Sequence, residues 1–285
     1  MSSDLNFSAW IGKSETEHGV ATAYPADYFT ATLDRDDLPF TDGDPLPPAW
    51  HYFYFHELVR LAETGPDGHR AKGHFMPPIP FPRRMWAASE MTFESPILIG
   101  EKIRKVITIA DIAVKEGKSG ALCFVTTTDE VFGEDGRLTT IEKRTQVYRD
   151  AADPNAPTPA PRPAPAEAVW SRTIRPSAVL LFRYSALTMN SHRIHYDKDY
   201  VRDAEGYPGL LVHGPLTMTL MLDLFRREMP DATIGSFNLR AVSPVYDTMD
   251  FSVHGGPGDD PGTAKLWAMT GEGALAMTAD VNYAG

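Results

Sequence analysis

Along this chain the spacing of apolar positions switches between helical and alternating periods, and the switches set out one order of elements twice. Residues 50–62 (WHYFYFHELVRLA) carry apolar and aromatic side chains around most of a helical circumference, which predicts a helix with no wide face for water. Runs rich in Val, Ile, Thr and Phe follow at residues 91–94, 102–112, 121–132 and 138–148 and predict strands, the last three parted by glycine-bearing turns at 116–120 and 133–136. The order then returns. A helix is predicted over residues 215–227 (PLTMTLMLDLFRR), followed by strands near 236–241, 249–254, 265–270 and 274–283. Met91-Thr-Phe-Glu-Ser-Pro96 and Leu239-Arg-Ala-Val-Ser-Pro244 hold the same place in each half, a repeat weak in identity but consistent in order. A helix apolar nearly all round, followed by antiparallel strands, implies an α+β fold of two units, each a sheet wrapped around a buried helix.

Between the units, residues 151–168 (AADPNAPTPAPRPAPAEA) place proline at positions 154, 157, 159, 161, 163 and 165. Proline lacks the donor that ladders and helices need, so this segment predicts a stiff, extended linker. The expected division is 1–150, linker 151–168, and 169–285.

Composition narrows the function classes. Hydrophobic residues at 42% with 23% charged residues describe a chain that folds, and a net charge of −11 argues against a broad footprint for nucleic acid. An anionic ligand therefore needs a local group of Arg or Lys. The single cysteine, Cys123, sits in the apolar run Ala121-Leu-Cys-Phe-Val125, where a buried strand position and a reducing compartment are expected. The first residues (Met1-Ser-Ser-Asp-Leu-Asn-Phe-Ser8) lack a basic start and apolar stretch, and no apolar run reaches membrane-spanning length, so a cytoplasmic protein away from membranes is expected.

Several chemistries lack their motif. No G-x-G-x-x-G follows a strand, and neither Gly12-Lys-Ser14 nor Gly117-Lys-Ser119 has the earlier glycine of a phosphate-binding loop. His56-Glu57 has no second histidine at zincin spacing, and no G-x-S-x-G elbow occurs. Neither a metal nor an organic cofactor is therefore expected. The aromatic run His51-Tyr-Phe-Tyr-Phe-His56 reads as core or as acyl-pocket lining. Residues 75–86 (FMPPIPFPRRMW) form a proline-forced extended segment ending in Arg83 and Arg84, read either as a spot for a polyanionic ligand or as a surface loop with solvated arginines.

One stretch gathers the polar chemistry. Within Phe182-Arg-Tyr-Ser-Ala-Leu-Thr-Met-Asn-Ser-His-Arg-Ile-His-Tyr-Asp197, eight residues hold Asn190, His192, Arg193, His195 and Asp197, directly after an apolar helix-like run. Tyr207-Pro-Gly-Leu-Leu-Val-His-Gly-Pro-Leu-Thr217 follows. Such a density of polar groups in an apolar neighbourhood points to a site. His192, His195 and Asp197 also permit a metal reading, for which a further ligand is wanting.

Asn190-Ser-His-Arg-Ile-His195 and Gly209-Leu-Leu-Val-His-Gly-Pro-Leu216 resemble the active-site signature of the MaoC-like, type-2 enoyl-thioester hydratases and dehydratases. In most members an Asp and a His stand five residues apart, and a V-H-G turn opens the central helix of a hotdog fold. Asn190 replaces that Asp, as in the hydroxyacyl-thioester dehydratase type 2 branch. Pro47-Pro48-Ala-Trp50, residues 75–86 and Lys118-Ser-Gly-Ala-Leu-Cys-Phe-Val125 are similar to the site-lacking N-terminal unit of mesaconyl-C4-CoA (3-methylfumaryl-CoA) hydratases. The resemblance implies a double hotdog, an acyl-CoA thioester as ligand, and a hydro-lyase converting 3-methylfumaryl-CoA to citramalyl-CoA. The N-terminal unit is then expected to shape an acyl and CoA tunnel.

Hydrating a double bond conjugated to a thioester requires a base for water, a proton for the α-carbon and donors for the enolate oxygen. Asn190 cannot be a base, so His195 is expected to take the proton while the Asn190 amide orients the water; whether His195 then delivers the α-proton stays open. The backbone N–H of Gly214, just before Pro215 at a helix N-terminus, is the expected oxyanion donor. Arg193 either pairs with a second substrate carboxylate or pins the turn through carbonyls or Asp197. Two further readings stand beside this one: a (3R)-hydroxyacyl-thioester dehydratase for fatty-acyl chains, and a non-catalytic acyl-thioester binding module. Pairing into a homodimer is compatible with all three.

Overall fold

The computed structural model describes residues 5–117, 120–149 and 160–285. Its strands are β1 (Ser14–Val20), β2 (Arg83–Phe93), β3 (Lys102–Gly117), β4 (Gly120–Phe132), β5 (Leu138–Arg149), β6 (Trp170–Ile174), β7 (Thr233–Ala241), β8 (Phe251–Pro257), β9 (Thr263–Met269) and β10 (Leu275–Ala284). They form one ten-stranded sheet in the order β1-β3-β4-β5-β2-β7-β10-β9-β8-β6. Counted outward from the central β2/β7 seam, each half runs through its own second, fifth, fourth, third and first strand. The two halves thus share one strand order and join antiparallel, Ala88 facing Arg240 and Thr92 facing Ser236.

Four α-helices accompany the sheet: α1 (Ala23–Thr32), α2 (Ala178–Thr188), the single turn α3 (Lys198–Tyr200) and α4 (Gly214–Glu228). The residues of α4 explain its burial. Every position from Leu216 to Phe225 is buried, and the helix packs on β6, β8 and β9. Thr217 and Thr219 tolerate that setting because their hydroxyls bond back to the carbonyls of His213 and Leu216. Asp223, 1% exposed, is met by the guanidinium groups of Arg35, Arg172 and Arg227 at 2.8, 2.6 and 2.8 Å. Removing that carboxylate takes away the ion-pair partner of Arg172 and Arg227 and leaves Arg35 with Asp37 alone, the costly way to break a buried ion group.

The helix expected over residues 50–62 does not form. Two short 3-10 turns, Trp50–Phe53 and Leu61–Glu63, stand in its place, the first entered through Ala49 at a left-handed φ of 66°. Tertiary packing overrides the periodicity. Phe29 of α1 stacks with Trp50 at 5.0 Å and Phe53 at 4.6 Å, and Tyr184 of α2 closes on Phe53 at 6.0 Å. With α1 and α2 filling that volume, the chain leaves the core, and Leu58 and Leu61 stand 99% and 88% exposed.

The second surprise is β2, which begins eight residues before its expected start at Met91. Arg83 and Arg84 are therefore strand residues, paired with Arg149 and Tyr148 of β5, and not a solvated loop. Of the expected linker, residues 151–159 lie outside the described residues; residues 162–164 run extended against the β9–β10 turn through Arg162, Pro163 and Ala164. No helix among the described residues is long and apolar enough to cross a membrane.

Candidate active site

The polar stretch is a turn strapped at both ends. Ser177 caps α2, its hydroxyl accepting the N–H of Leu180, and α2 ends in a left-handed Met189. Asn190 follows, its side-chain carbonyl accepting the N–H of His192 at 3.0 Å. That leaves the Asn190 amide NH2 as the donor free to face a ligand. A 3-10 turn, Arg193–His195, comes next, and Asp197 caps α3 by accepting the N–H of Tyr200.

Arg193 is consumed in holding this turn. Its guanidinium donates to Asp197 at 3.0 and 2.8 Å and to the Pro66 carbonyl at 3.0 Å, and lies 4.2 Å from the ring centre of Tyr200. Of the two readings of Arg193, the geometry supports pinning. The strap reaches across the halves, because Arg193 N–H donates to Asp67 O and the Ser191 hydroxyl to Gly68 O. Gly68 is required there: its φ is 90°, and a Cβ would stand 2.1 Å from the Ser191 carbonyl oxygen.

His195 lies at the far end of the turn, 6% exposed. Its Nδ1 is 2.7 Å from the Leu211 carbonyl, which can only accept, so Nδ1 carries the hydrogen and Nε2 keeps the lone pair. Burial pushes this imidazole down to about 4, with the Leu211 bond working weakly the other way.

The ring does not stand alone. It stacks on His213 at 3.6 Å, lies edge-on to His192 at 5.6 Å, and His192 in turn meets His69 at 4.2 Å. Burial lowers all four, His192 to about 3, so the row His69, His192, His195, His213 is neutral at physiological pH. His213 Nε2 bonds the Ser185 hydroxyl at 2.8 Å, while its buried Nδ1 has no partner among the described residues.

Gly214 opens α4 immediately after His213, so the helix N-terminus and the His195 ring share one locus. As a first helical residue its N–H has no carbonyl within the helix to donate to. A Cβ there would lie 2.6 Å from Cε3 of Trp86, which comes from β2 of the other half. The Trp86 indole thus covers this helix end, its Nε1 buried without a partner among the described residues.

Arg83 and Arg84 diverge, as consecutive strand residues must. Arg83 is tied to Glu205, through its backbone carbonyl and its carboxylate at 3.5 Å, and lies over Tyr207 at 5.3 Å. Arg84 faces the histidine side. The resolved clefts border Lys198, Asp247 and Thr248 rather than the imidazole row, which Trp86 and the Gly65–His69 loop roof over. Among the described residues no three His, Cys, Asp or Glu side chains converge as metal ligands would. Asp197, the third member of the metal reading, is turned to Arg193.

Sequence reasoning missed His213, His69 and Trp86. His213 carried a signal, being the residue between Val212 and Gly214 at a helix start. His69 and Trp86 had none, because only the fold brings the N-terminal half against the turn.

The hydroxyacyl-thioester dehydratase type 2 family model matches residues 49–247. A mesaconyl-C(4)-CoA hydratase of Chloroflexus aurantiacus is 39% identical over 284 residues, covering 99% of this chain and 100% of that protein. Among solved structures, a MaoC-like dehydratase from Phytophthora capsici superposes with a TM-score of 0.72 at 13% identity, covering 98% of this chain and 99% of that one. A Mycobacterium tuberculosis protein described as a double hotdog superposes with a TM-score of 0.58 at 12% identity, covering 99% and 98%. The ten-stranded sheet with its mirrored strand order is a double hotdog, and by a family match spanning most of its length the chain belongs to the hydroxyacyl-thioester dehydratase type 2 family.

Proposed function

We propose that this protein is a hydro-lyase that reversibly adds water across the double bond of a 2-enoyl-CoA thioester, with 3-methylfumaryl-CoA going to citramalyl-CoA as its reaction. The observation that carries the reading is the Leu211 bond to His195, which fixes the lone pair on Nε2 of a buried ring. In this scheme the Asn190 NH2 donates to the water oxygen while His195 Nε2 takes a water proton. The oxygen adds to the β-carbon, and the electron pair moves to the thioester oxygen. The Gly214 N–H and the N-terminal dipole of α4 stabilise that enolate. Because burial disfavours the imidazolium, it gives its proton up readily, and return to the α-carbon completes the addition.

The carbonyl of Asn190 is spent on the His192 N–H, so its free NH2 suits a water donor and not a second base. The single cysteine, Cys123, is free and buried, in keeping with a cytoplasmic setting. The test is His195→Ala with enoyl-thioester absorbance as the readout on mesaconyl, itaconyl, crotonyl and longer enoyl-CoA esters. Turnover falls about 100-fold or more with the fold retained; a variant working at close to the parental rate overturns the assignment.

A further inference from the structure

Arg84 stands two residues before Trp86 on β2, so the pleat sends both side chains to the same side of the sheet. Trp86 rests against Gly214, and a strand rise of about 3.3 Å per residue puts Arg84 about 7 Å farther along. Its cross-strand partner is Tyr148, over whose ring Lys72 Nζ lies at 5.9 Å.

The charges in this corner do not balance. Asp67 is the carboxylate near Lys72 and Arg84, and it already accepts the His69 N–H at 3.1 Å. Lys72 Nζ is engaged by the Phe81 carbonyl at 2.7 Å. Arg84 is half-buried and bonded to the neutral Tyr148 hydroxyl, but among the described residues it forms no ion pair, whereas its neighbour Arg83 is bound to Glu205. Its charge reaches the imidazole row, where it reinforces burial in holding His69 and His192 in the neutral form. A half-buried guanidinium without a counter-ion, next to neutral rings, is a fork waiting for a planar anion. Arg193, the cation considered from sequence, has its donors taken by Asp197 and Pro66.

We propose that Arg84 receives the second carboxylate of a short dicarboxylic enoyl thioester and so selects diacid half-thioesters over plain enoyl chains. This rests on the hydratase reading above. A carboxylate on the acyl group and a phosphate of CoA offer the same chemistry to Arg84, and paired substrates separate them because both carry the same CoA.

The experiment compares kcat/KM for mesaconyl-C4-CoA and crotonyl-CoA in the parental protein, Arg84→Gln and Arg84→Lys. The parental protein favours the diacid, Arg84→Gln lowers the diacid-to-monoacid ratio about 100-fold, mainly through KM, and Arg84→Lys restores part of it. A ratio unchanged in Arg84→Gln overturns the inference: equal losses on both substrates assign Arg84 to CoA phosphate or to folding, and no loss on either assigns it no role. A parental protein that hydrates crotonyl-CoA but not the diacid removes this inference together with the proposed substrate. One that hydrates neither removes the hydratase reading itself.

Discussion

An imidazole that remains neutral until the pH drops to about 4 is available as a base through the whole neutral range. The usual histidine value is 6.5, so a solvated base at position 195 gives an acidic limb near that pH and the buried one does not. The sign follows from the lone pair, since protonating Nε2 removes the base and activity is lost as pH falls through the lowered value. We expect kcat/KM for a 2-enoyl-CoA to stay level from pH 8 to about 5.5 and to decline toward pH 4. A stopped-rate profile turning down near 6.5 would mean that His195 meets bulk water in the free enzyme. At this scale the sequence was partly legible. Asn190, His195 and Gly214 lie within or next to contiguous motifs, and their local order is enough to propose them as site residues. The tautomer of His195 was not legible, because Leu211 becomes its partner only after the chain doubles back.

The elements show where local pattern and tertiary packing agree and where they part. Helix α4 was readable because its run from Leu216 to Phe225 is buried throughout, so an apolar stretch bounded by Gly214-Pro215 and Arg226-Arg227 had one interpretation. Residues 50–62 had an equally apolar pattern and formed no helix, since Phe29 and Tyr184 claimed the volume it needed. No period announces a loop such as Gly65–His69, yet that loop holds the 190–195 turn through Pro66, Asp67 and Gly68. Gly68→Ala tests the clasp. A side chain at φ 90° is strained by about 1–3 kcal/mol, and its Cβ runs into the Ser191 carbonyl, so the loop must lift from the turn. Turnover is expected to fall at least about 10-fold, by the misplacement argument for positioned groups, with a lower melting temperature. Parental kinetics in Gly68→Ala would show that the turn keeps its shape without the clasp.

Across the whole molecule the paired units bury ionisable groups in both halves, which no strand pattern disclosed. Glu142 and Arg144 alternate on β5 like surface residues, yet Glu142 is 1% exposed and bonded to Tyr52, Ser89 and Arg144. Burial alone pulls this carboxyl upward, but the Arg144 charge outweighs it and holds it near 2. Its stabilising contribution is therefore present above the ordinary carboxylate range and is lost only as pH falls through that range toward 2. Histidine behaves oppositely in cause but also loses stability on acidification. His51, lowered by burial to about 4, joins His69, His192, His195 and His213 as rings kept neutral in the fold. Below 6.5 the unfolded chain binds protons on these rings that the folded chain refuses, so stability declines as pH drops from 6.5 toward 4. The interval from pH 6.5 to about 5 lies above the usual carboxylate range and isolates the imidazoles. The melting temperature is expected to fall steadily across that interval, and His51→Gln to shallow the slope, since one proton-refusing ring is gone. A melting temperature that stays flat from pH 7 to 5 would show that the rings take up protons in the folded state, and the neutral base proposed at position 195 would go with them.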